Sequence, residues 1–133
     1  MDTFGVVSVN DLSAQEHPSG PCPISPAVGA VFGKWTTEVL WALTHAGALR
    51  FTELRDRVPE VTPKVLTQRL RQLERDGLVL RTYHREVPPR VEYEATALAR
   101  SLVPIFVDLE RWTRAHAADI AAAQEAYDGP LAS

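Results

Sequence analysis

Residues 62–77, TPKVLTQRLRQLERDG, carry signals for both the start and the end of one helix. Thr62 is a favoured N-cap residue, and Pro63 fits the first helical position, where its missing amide hydrogen is not needed. Gly77 fits the left-handed position that ends many helices. The sequence therefore predicts a helix over 62–76.

The two faces of this helix differ in character. Leu66, Leu70 and Leu73 recur at helical spacing and form one stripe for burial. At about 100° per residue, the side chains that point away from this stripe are long donors. They are Lys64, Gln68, Arg71 and Arg75, with Thr67 at the edge. The pattern favours a nucleic-acid-reading helix, although solubilising charges on an ordinary surface helix would give the same pattern.

Three shorter helices are predicted upstream of it. Ser25 as N-cap and Pro26 as first residue begin a helix that stops near Gly33. A second helix is predicted over 35–46 with Gly47 as its C-cap, and a third over 53–58 capped by Thr52. Residues 49–51 are predicted to be extended, and residues 1–21 to form a flexible tail.

Beyond Gly77 the hydrophobic period changes from helical to two, which predicts strands over 78–83 and 91–95. The connecting loop, residues 84–90, contains Pro88 and Pro89, so it should protrude from the hairpin. Arg85 and Arg90 flank its tip. Helices followed by such a hairpin predict a mainly α (α+β) fold, a winged helix-turn-helix with a two-stranded β wing.

A last helix is predicted from Ala97, with Thr96 as its cap and Pro104 kinking or restarting it. Its apolar residues recur every three or four positions: Leu98, Leu102, Ile105, Leu109 and Trp112. This stripe could pack on the domain's own core or on the same helix of a second subunit. Residues 115–126 prolong the helix.

Composition and charge bound the function. The chain has 133 residues, a formal net charge of −3 and one cysteine, so an internal disulfide is excluded. No apolar stretch approaches the roughly 20 residues of a membrane span, and the N-terminus lacks the basic start of a signal peptide, so a cytoplasmic protein is expected.

The positive charge is concentrated in the middle of the chain. Residues 34–92 hold eleven basic and eight acidic residues, whereas both flanks are acidic. This asymmetry suits nucleic-acid binding, and a mixed solvated surface would also produce it.

The sequence contains no phosphate loop, nucleophile elbow or paired-carboxylate motif, so no enzyme and no cofactor are expected. The four histidines are dispersed without metal-ligand spacing, so no metal site is expected either. They are His17, His45, His84 and His116. Four aromatic residues are interpreted as core rather than contact residues: Trp35, Trp41, Tyr83 and Tyr93.

With these elements in place, the sequence resembles the HxlR family of bacterial winged-helix transcriptional regulators over residues 22–113. The resemblance rests on six motifs: Cys22-Pro23, Gly33-Lys34-Trp35, RFTEL at 50–54, TPKVLTQ at 62–68, LERDGL at 73–78 and VPPRVEY at 87–93. Ala99 stands where the family usually has glycine. We accordingly divide the chain into a tail, residues 1–21, a domain with its dimerisation helices, residues 22–114, and a helix extension with a frayed end, residues 115–133.

The resemblance implies a homodimer, joined through its first and last helices, that binds double-stranded DNA at an imperfect inverted repeat. The residues expected at the dimer interface are Ile24, Val28, Val31, Leu102, Ile105, Phe106, Leu109 and Trp112. Base edges are expected to be read by Lys64, Thr67, Gln68 and Arg71, since arginine grips guanine and glutamine grips adenine. Phosphates or the minor groove are assigned to Arg75, Arg81, Arg85 and Arg90.

Cys22 is a candidate redox sensor, because some relatives in this family use a cysteine there and a helix start favours the thiolate. The alternative is a small buried hydrophobic residue. A small-molecule effector is also open, in a pocket between the dimer helices lined by Phe32, Phe106 or Trp112. A competing function is a winged-helix protein-interaction module without DNA binding. Repression and activation are equally compatible with these residues.

Overall fold

The computed structural model describes residues 21–130. The helices are Ser25–Val31 (α1), Thr36–Ala46 (α2), Phe51–Arg57 (α3), Pro63–Arg75 (α4), Ala97–Arg100 (α5) and Val103–Asp128 (α6). The strands are Leu49–Arg50 (β1), Val79–His84 (β2) and Arg90–Ala95 (β3). This order confirms the predicted winged helix-turn-helix of the mainly α (α+β) class. The predicted tail lies outside the described residues, apart from residue 21.

The leucine stripe of α4 lies at the centre of the core. Leu66, Leu70 and Leu73 are buried together with Leu40 and Leu43 of α2. Leu54 of α3 and residues from the sheet complete the same cluster. Helices α2, α3 and α4 thus share one apolar interior, and this packing leaves the opposite side of α4 facing outward.

The sheet has three strands where the sequence predicted two. The order is β1-β3-β2, antiparallel throughout, with β2 and β3 paired from Val79↔Ala95 to His84↔Arg90. The added strand β1 places Leu49 opposite Tyr93. A strand of two residues is too short to show a period of two, so the sequence revealed an extended stretch there but not its partner.

Helix α4 begins and ends as predicted. The amide of Val65 donates to Thr62 Oγ1 at 3.2 Å. At the other end Gly77 has a φ of 78°, and the amide of Leu78 donates to the carbonyl of Leu73 at 2.9 Å. This pairing is the Schellman arrangement, which satisfies carbonyls that would otherwise end the helix without partners.

The starts of the three preceding helices differ from the predictions. Ser25 is the first residue of α1 rather than its cap, and no side chain caps that helix. Helix α2 follows Trp35, which adopts a left-handed φ of 70°. Helix α3 begins at Phe51, and the amide of Arg50 donates to the Glu53 carboxylate at 2.7 Å, so the predicted cap at Thr52 is wrong.

The C-terminal helix restarts near Pro104, as predicted. Thr96 Oγ1 accepts from the amide of Ala99 at 3.2 Å and caps the short helix α5. Pro104 then occupies the first turn of α6, where its ring is tolerated. Helix α6 continues to Asp128 without a break, so no structural discontinuity marks the boundary expected between 114 and 115.

Replacing Gly77 or Gly29 by alanine should change the free energy of unfolding in opposite directions. Gly77→Ala should lower the free energy of unfolding by about 1–2 kcal/mol, because its left-handed φ strains any residue with a Cβ. Gly29→Ala, in α1 with open space around it, should raise that free energy by about 0.5–1 kcal/mol. Urea unfolding at one protein concentration measures both. Equal shifts for the two variants would contradict this account of Gly77.

Candidate nucleic-acid interface

The outward face of α4 is basic and open to solvent. Lys64, Gln68, Arg71 and Arg75 are exposed, and Thr67 is half-buried at the edge of the face. None of the ion pairs formed within residues 21–130 involves Lys64, Arg71 or Arg75. Their charges are therefore available to an external anion, and the packed leucines fix the direction in which this face points.

Arg69 serves a different purpose on the same helix. Its Nε donates to the carbonyl of Lys34 at 2.9 Å, in the turn between α1 and α2. The Lys34 ammonium in turn lies 5.4 Å from the centroid of the Trp35 ring. Arg69 thus holds α4 against the neighbouring turn. Sequence reasoning missed this role, because the partner lies 35 positions away along the chain.

The hairpin extends the basic surface beyond α4. Arg81 of β2 is exposed and lines a shallow depression that Thr67 and Arg71 of α4 and Tyr93 of β3 also line. Further along, Arg85 is exposed in the loop that joins β2 to β3, and Val87 near its tip is fully exposed. We call this loop, residues 85–89, the wing tip. Arg71 of α4 and Arg81 of the hairpin therefore lie on one connected surface, and Arg85 lies further along the same hairpin.

Arg90 differs from the other hairpin arginines. Its Nη2 lies 3.1 Å from Glu86 Oε2, and its Nε lies 3.6 Å from Glu92 Oε2. Its side chain is only 28% exposed. The second oxygen of the same carboxylate, Glu92 Oε1, lies 3.0 Å from His84 Nε2. The positive charge of Arg90 is thus already balanced within the hairpin.

Three of the four aromatic residues predicted to be core do pack against it. Trp35, Trp41 and Tyr93 are partly buried on the core cluster. Tyr83 is 54% exposed, so that prediction is wrong for Tyr83. It lies near the loop end of β2, where more than half of its surface is open to solvent.

A second surface lies on the α1 and α6 side of the molecule. An apolar groove with a volume of about 640 Å³ runs between these helices, and we call it the α1–α6 groove. Its exposed apolar residues include Ile24, Val28, Leu109 and Trp112. Phe32, Leu102 and Ile105 also line it. An open apolar groove of this size is typical of a binding surface.

Two of the expected interface residues are buried in the protomer's own core, and one of them, Val31, also lines the groove. Val31 is 4% exposed and Phe106 is 3% exposed. The Phe106 ring centroid lies 6.1 Å from that of Phe32 and 6.1 Å from that of Trp41. Helix α6 therefore turns Phe106 and its N-cap residue Leu102 toward the protomer's own core and leaves Leu109 and Trp112 exposed, while a contact with a second subunit stays a prediction. Of the three residues suggested for a small-molecule pocket, Phe32 and Trp112 line the groove and Phe106 does not.

Cys22 is an exposed free thiol just before α1, so it is not the buried hydrophobic residue of the alternative interpretation. Its carbonyl accepts a hydrogen bond from the amide of Ser25 at 3.1 Å. Among residues 21–130, no cluster of histidine, cysteine and carboxylate side chains is arranged to hold a metal ion. His17 lies outside that range. Within it, no helix has the length and hydropathy needed to cross a membrane.

This geometry, a helix-turn-helix followed by a basic wing, defines a winged-helix DNA-binding protein. Comparison with known families agrees: residues 30–120 match the family described as HxlR-like helix-turn-helix. The chain belongs to the HxlR family, and it is a transcriptional regulator with a helix-turn-helix domain. The resemblance drawn from its motifs is thereby confirmed.

Individual relatives support the same assignment. The chain is 44% identical over 91 residues to an uncharacterized HTH-type transcriptional regulator of Methanothermobacter thermautotrophicus, an alignment that covers 68% of this chain and 69% of the relative. The crystal structure of a putative HTH-type transcriptional regulator, ytcD, is similar with a TM-score of 0.69 and 40% identity, covering 72% of this chain and 97% of that one. The redox regulator HypR in its reduced form is similar with a TM-score of 0.71 and 33% identity, covering 76% and 99%.

Proposed function

We propose that the protein is a homodimer that binds an imperfect inverted repeat in double-stranded DNA through α4 and the wing tip. The observation that carries this proposal is the outward face of α4, whose exposed cations have no ion-pair partner within the described chain. Exposed arginines and lysines on a rigid helix suit a polyanion, and phosphate contacts supply most of the affinity. Arg81 and Arg85 continue this surface onto the hairpin.

Within that surface we assign two tasks. Lys64, Thr67, Gln68 and Arg71 read base edges in the major groove, because they lie on the outward face within roughly the N-terminal two-thirds of the helix. Arg75, Arg81 and Arg85 hold phosphates or enter the minor groove. Because Arg90 pairs with Glu86 and Glu92, we propose that it acts within the hairpin rather than at the DNA.

The α1–α6 groove is the proposed contact between subunits. It combines exposed Ile24 and Val28 with exposed Leu109 and Trp112, and a second copy would bury all four. Two-fold symmetry would place the two α4 helices about 34 Å apart on successive major grooves. A small apolar molecule that bound this groove would compete with the second subunit.

The competing function, a protein-interaction module, fits the surface less well. A winged helix adapted to a protein partner would be expected to carry apolar or acidic residues at the positions of Lys64, Gln68 and Arg71. All three are exposed polar donors.

A pair of arginine variants tests the DNA-binding face. Arg71→Ala should weaken binding to a selected genomic fragment by about 1–3 kcal/mol, because it removes a paired contact to a base. Arg114→Ala removes the same charge from α6, where the side chain pairs with Glu110 outside the proposed DNA interface, so it should change DNA affinity far less. Fluorescence anisotropy against the fragment and a scrambled duplex measures both. Equal losses for the two variants would overturn the assignment of Arg71.

The subunit contact can be tested with two aspartates on α6. Leu109→Asp places a charge in the α1–α6 groove and should convert the dimer to monomers, since an unpaired buried charge costs several kcal/mol. Val107→Asp adds the same charge at another exposed position of that helix that does not line the groove. Sedimentation equilibrium measures the masses. A wild-type monomer, or a Leu109→Asp dimer, would contradict the proposed interface.

We also propose that an oxidant or electrophile controls DNA binding through Cys22. The thiol is exposed, it lies two residues from Ile24 of the proposed subunit contact, and the similar HypR is a redox regulator. Diamide would take two electrons and two protons from the Cys22 thiols of two subunits, leaving one intersubunit disulfide and the reduced hydrazine.

The Cys22→Ser variant tests this control. It should bind DNA like the wild type, whereas diamide should weaken or release the wild-type complex and leave the variant unaffected. The measurement is anisotropy with and without diamide, followed by reversal with dithiothreitol. A variant that keeps the full diamide response, or a wild type without one, would remove Cys22 from the proposal.

A further inference from the structure

Four charged or titratable side chains meet where the hairpin joins its loop. Glu92 lies between His84 Nε2, 3.0 Å from its Oε1, and Arg90 Nε, 3.6 Å from its Oε2. Arg90 also reaches Glu86 of the wing tip at 3.1 Å. One carboxylate therefore connects the last residue of β2 with the first residue of β3, and Arg90 connects both to the loop.

The strand register explains why these groups meet. His84 and Arg90 are directly opposite each other as the final pair of the hairpin, and Thr82 and Glu92 form the pair next but one. Alternate residues of a strand share a face, so Arg90 and Glu92 project from the same side, together with His84 across the pair. Glu92 reaches both without leaving the hairpin.

Burial makes the contact of Glu92 with Arg90 significant. Both side chains are less than one-third exposed. Arg90 Nε is buried without a hydrogen-bond partner in the described part of the chain, so the nearby carboxylate is what offsets its charge. If Arg90 turned to a phosphate instead, the half-buried Glu92 carboxylate would lose its arginine and keep only His84, which is unfavourable.

We infer that Glu92 is a positioning residue for DNA binding, which fixes the wing tip through Arg90 and His84 so that Arg85 meets a phosphate. This inference rests on the proposed DNA-binding function. Under this inference Arg90 is a structural residue of the hairpin rather than a DNA contact. The exposed Arg85 is then the wing-tip cation that faces the nucleic acid.

The sign of one substitution separates positioning from simple electrostatics. Glu92 carries a negative charge on the same hairpin as Arg81 and Arg85, so charge repulsion alone predicts that Glu92→Gln leaves DNA binding unchanged or strengthens it. Positioning predicts the reverse. Without the carboxylate, the hairpin end and its loop lose their fixed geometry, and the Arg85 contact weakens.

The experiment compares Glu92→Gln with Glu94→Gln in the full-length protein, by anisotropy on the selected genomic fragment across a salt series. Glu94 lies on the same strand, is partly buried and forms no ion pair within residues 21–130, so it controls for the lost charge. We expect Glu92→Gln to weaken binding about tenfold and to lower the salt slope by about one, as Arg85→Ala should. Glu94→Gln should bind equally well or slightly better. Circular dichroism verifies that each variant is folded.

Arg90→Gln provides the second test, which stays decisive if Glu92→Gln fails to fold. If Arg90 is structural, Arg90→Gln should lose as much DNA affinity as Glu92→Gln. Combining Arg90→Gln with Arg85→Ala should then cause no further loss of affinity. A direct phosphate contact predicts losses that add in that double variant. Binding by Glu92→Gln that is as tight as wild type or tighter, or additive losses, overturns this inference alone. A wild-type protein that binds no specific DNA overturns the proposed function as well.

Discussion

The rotation of α4 is set by the burial of its leucine stripe. Leu66, Leu70 and Leu73 are almost completely removed from solvent, and each buried leucine contributes about 1.5–3 kcal/mol relative to an exposed one. Because these residues can pack in only one rotation of the helix, the opposite face must turn outward with Lys64, Gln68 and Arg71. The chemistry available to DNA is thus set by the core, and not by any contact among the basic residues themselves.

The net charge of −3 is compatible with this surface because electrostatic attraction is local. At physiological ionic strength, charges separated by more than about 8 Å in solvent are largely screened from each other. The acids of α6, such as Asp119, Glu125 and Asp128, lie on a different element from α4 and the hairpin. What matters for a phosphate backbone is therefore which cations are free on one face. Arg69 and Arg90 are cations too, yet both are held by partners within the protomer.

The features that sequence predicted well are those set by neighbours within a few residues. The Thr62 cap, the left-handed Gly77, the period-two hairpin and the restart at Pro104 all belong to this group.

The features that the sequence did not reveal depend on partners that are distant along the chain. Strand β1 forms because Leu49 pairs with Tyr93 of β3. Arg69 is held within the protomer, unlike Arg71, because it donates a hydrogen bond to the carbonyl of Lys34. Phe106 likewise shows the same helical spacing as an interface residue, and only its contacts with Phe32 and Trp41 place it in the core. The sequence predicted which polar residues point outward from α4, but it did not predict the ion pairs of Arg90.

The turn between α1 and α2 connects the two surfaces of the molecule. Helix α1 forms one wall of the α1–α6 groove, and its last residue, Val31, accepts a hydrogen bond from Thr37 Oγ1 at 2.8 Å. Three residues further on, the carbonyl of Lys34 accepts the Arg69 bond from α4. Trp35, in its left-handed conformation, fixes the chain direction between these two bonds. A displacement of α1 must therefore either break these hydrogen bonds or carry the first turn of α2 and the flank of α4 with it. Because packed interiors transmit strain rather than absorb it, the proposed subunit contact and the basic face are mechanically linked through one short segment.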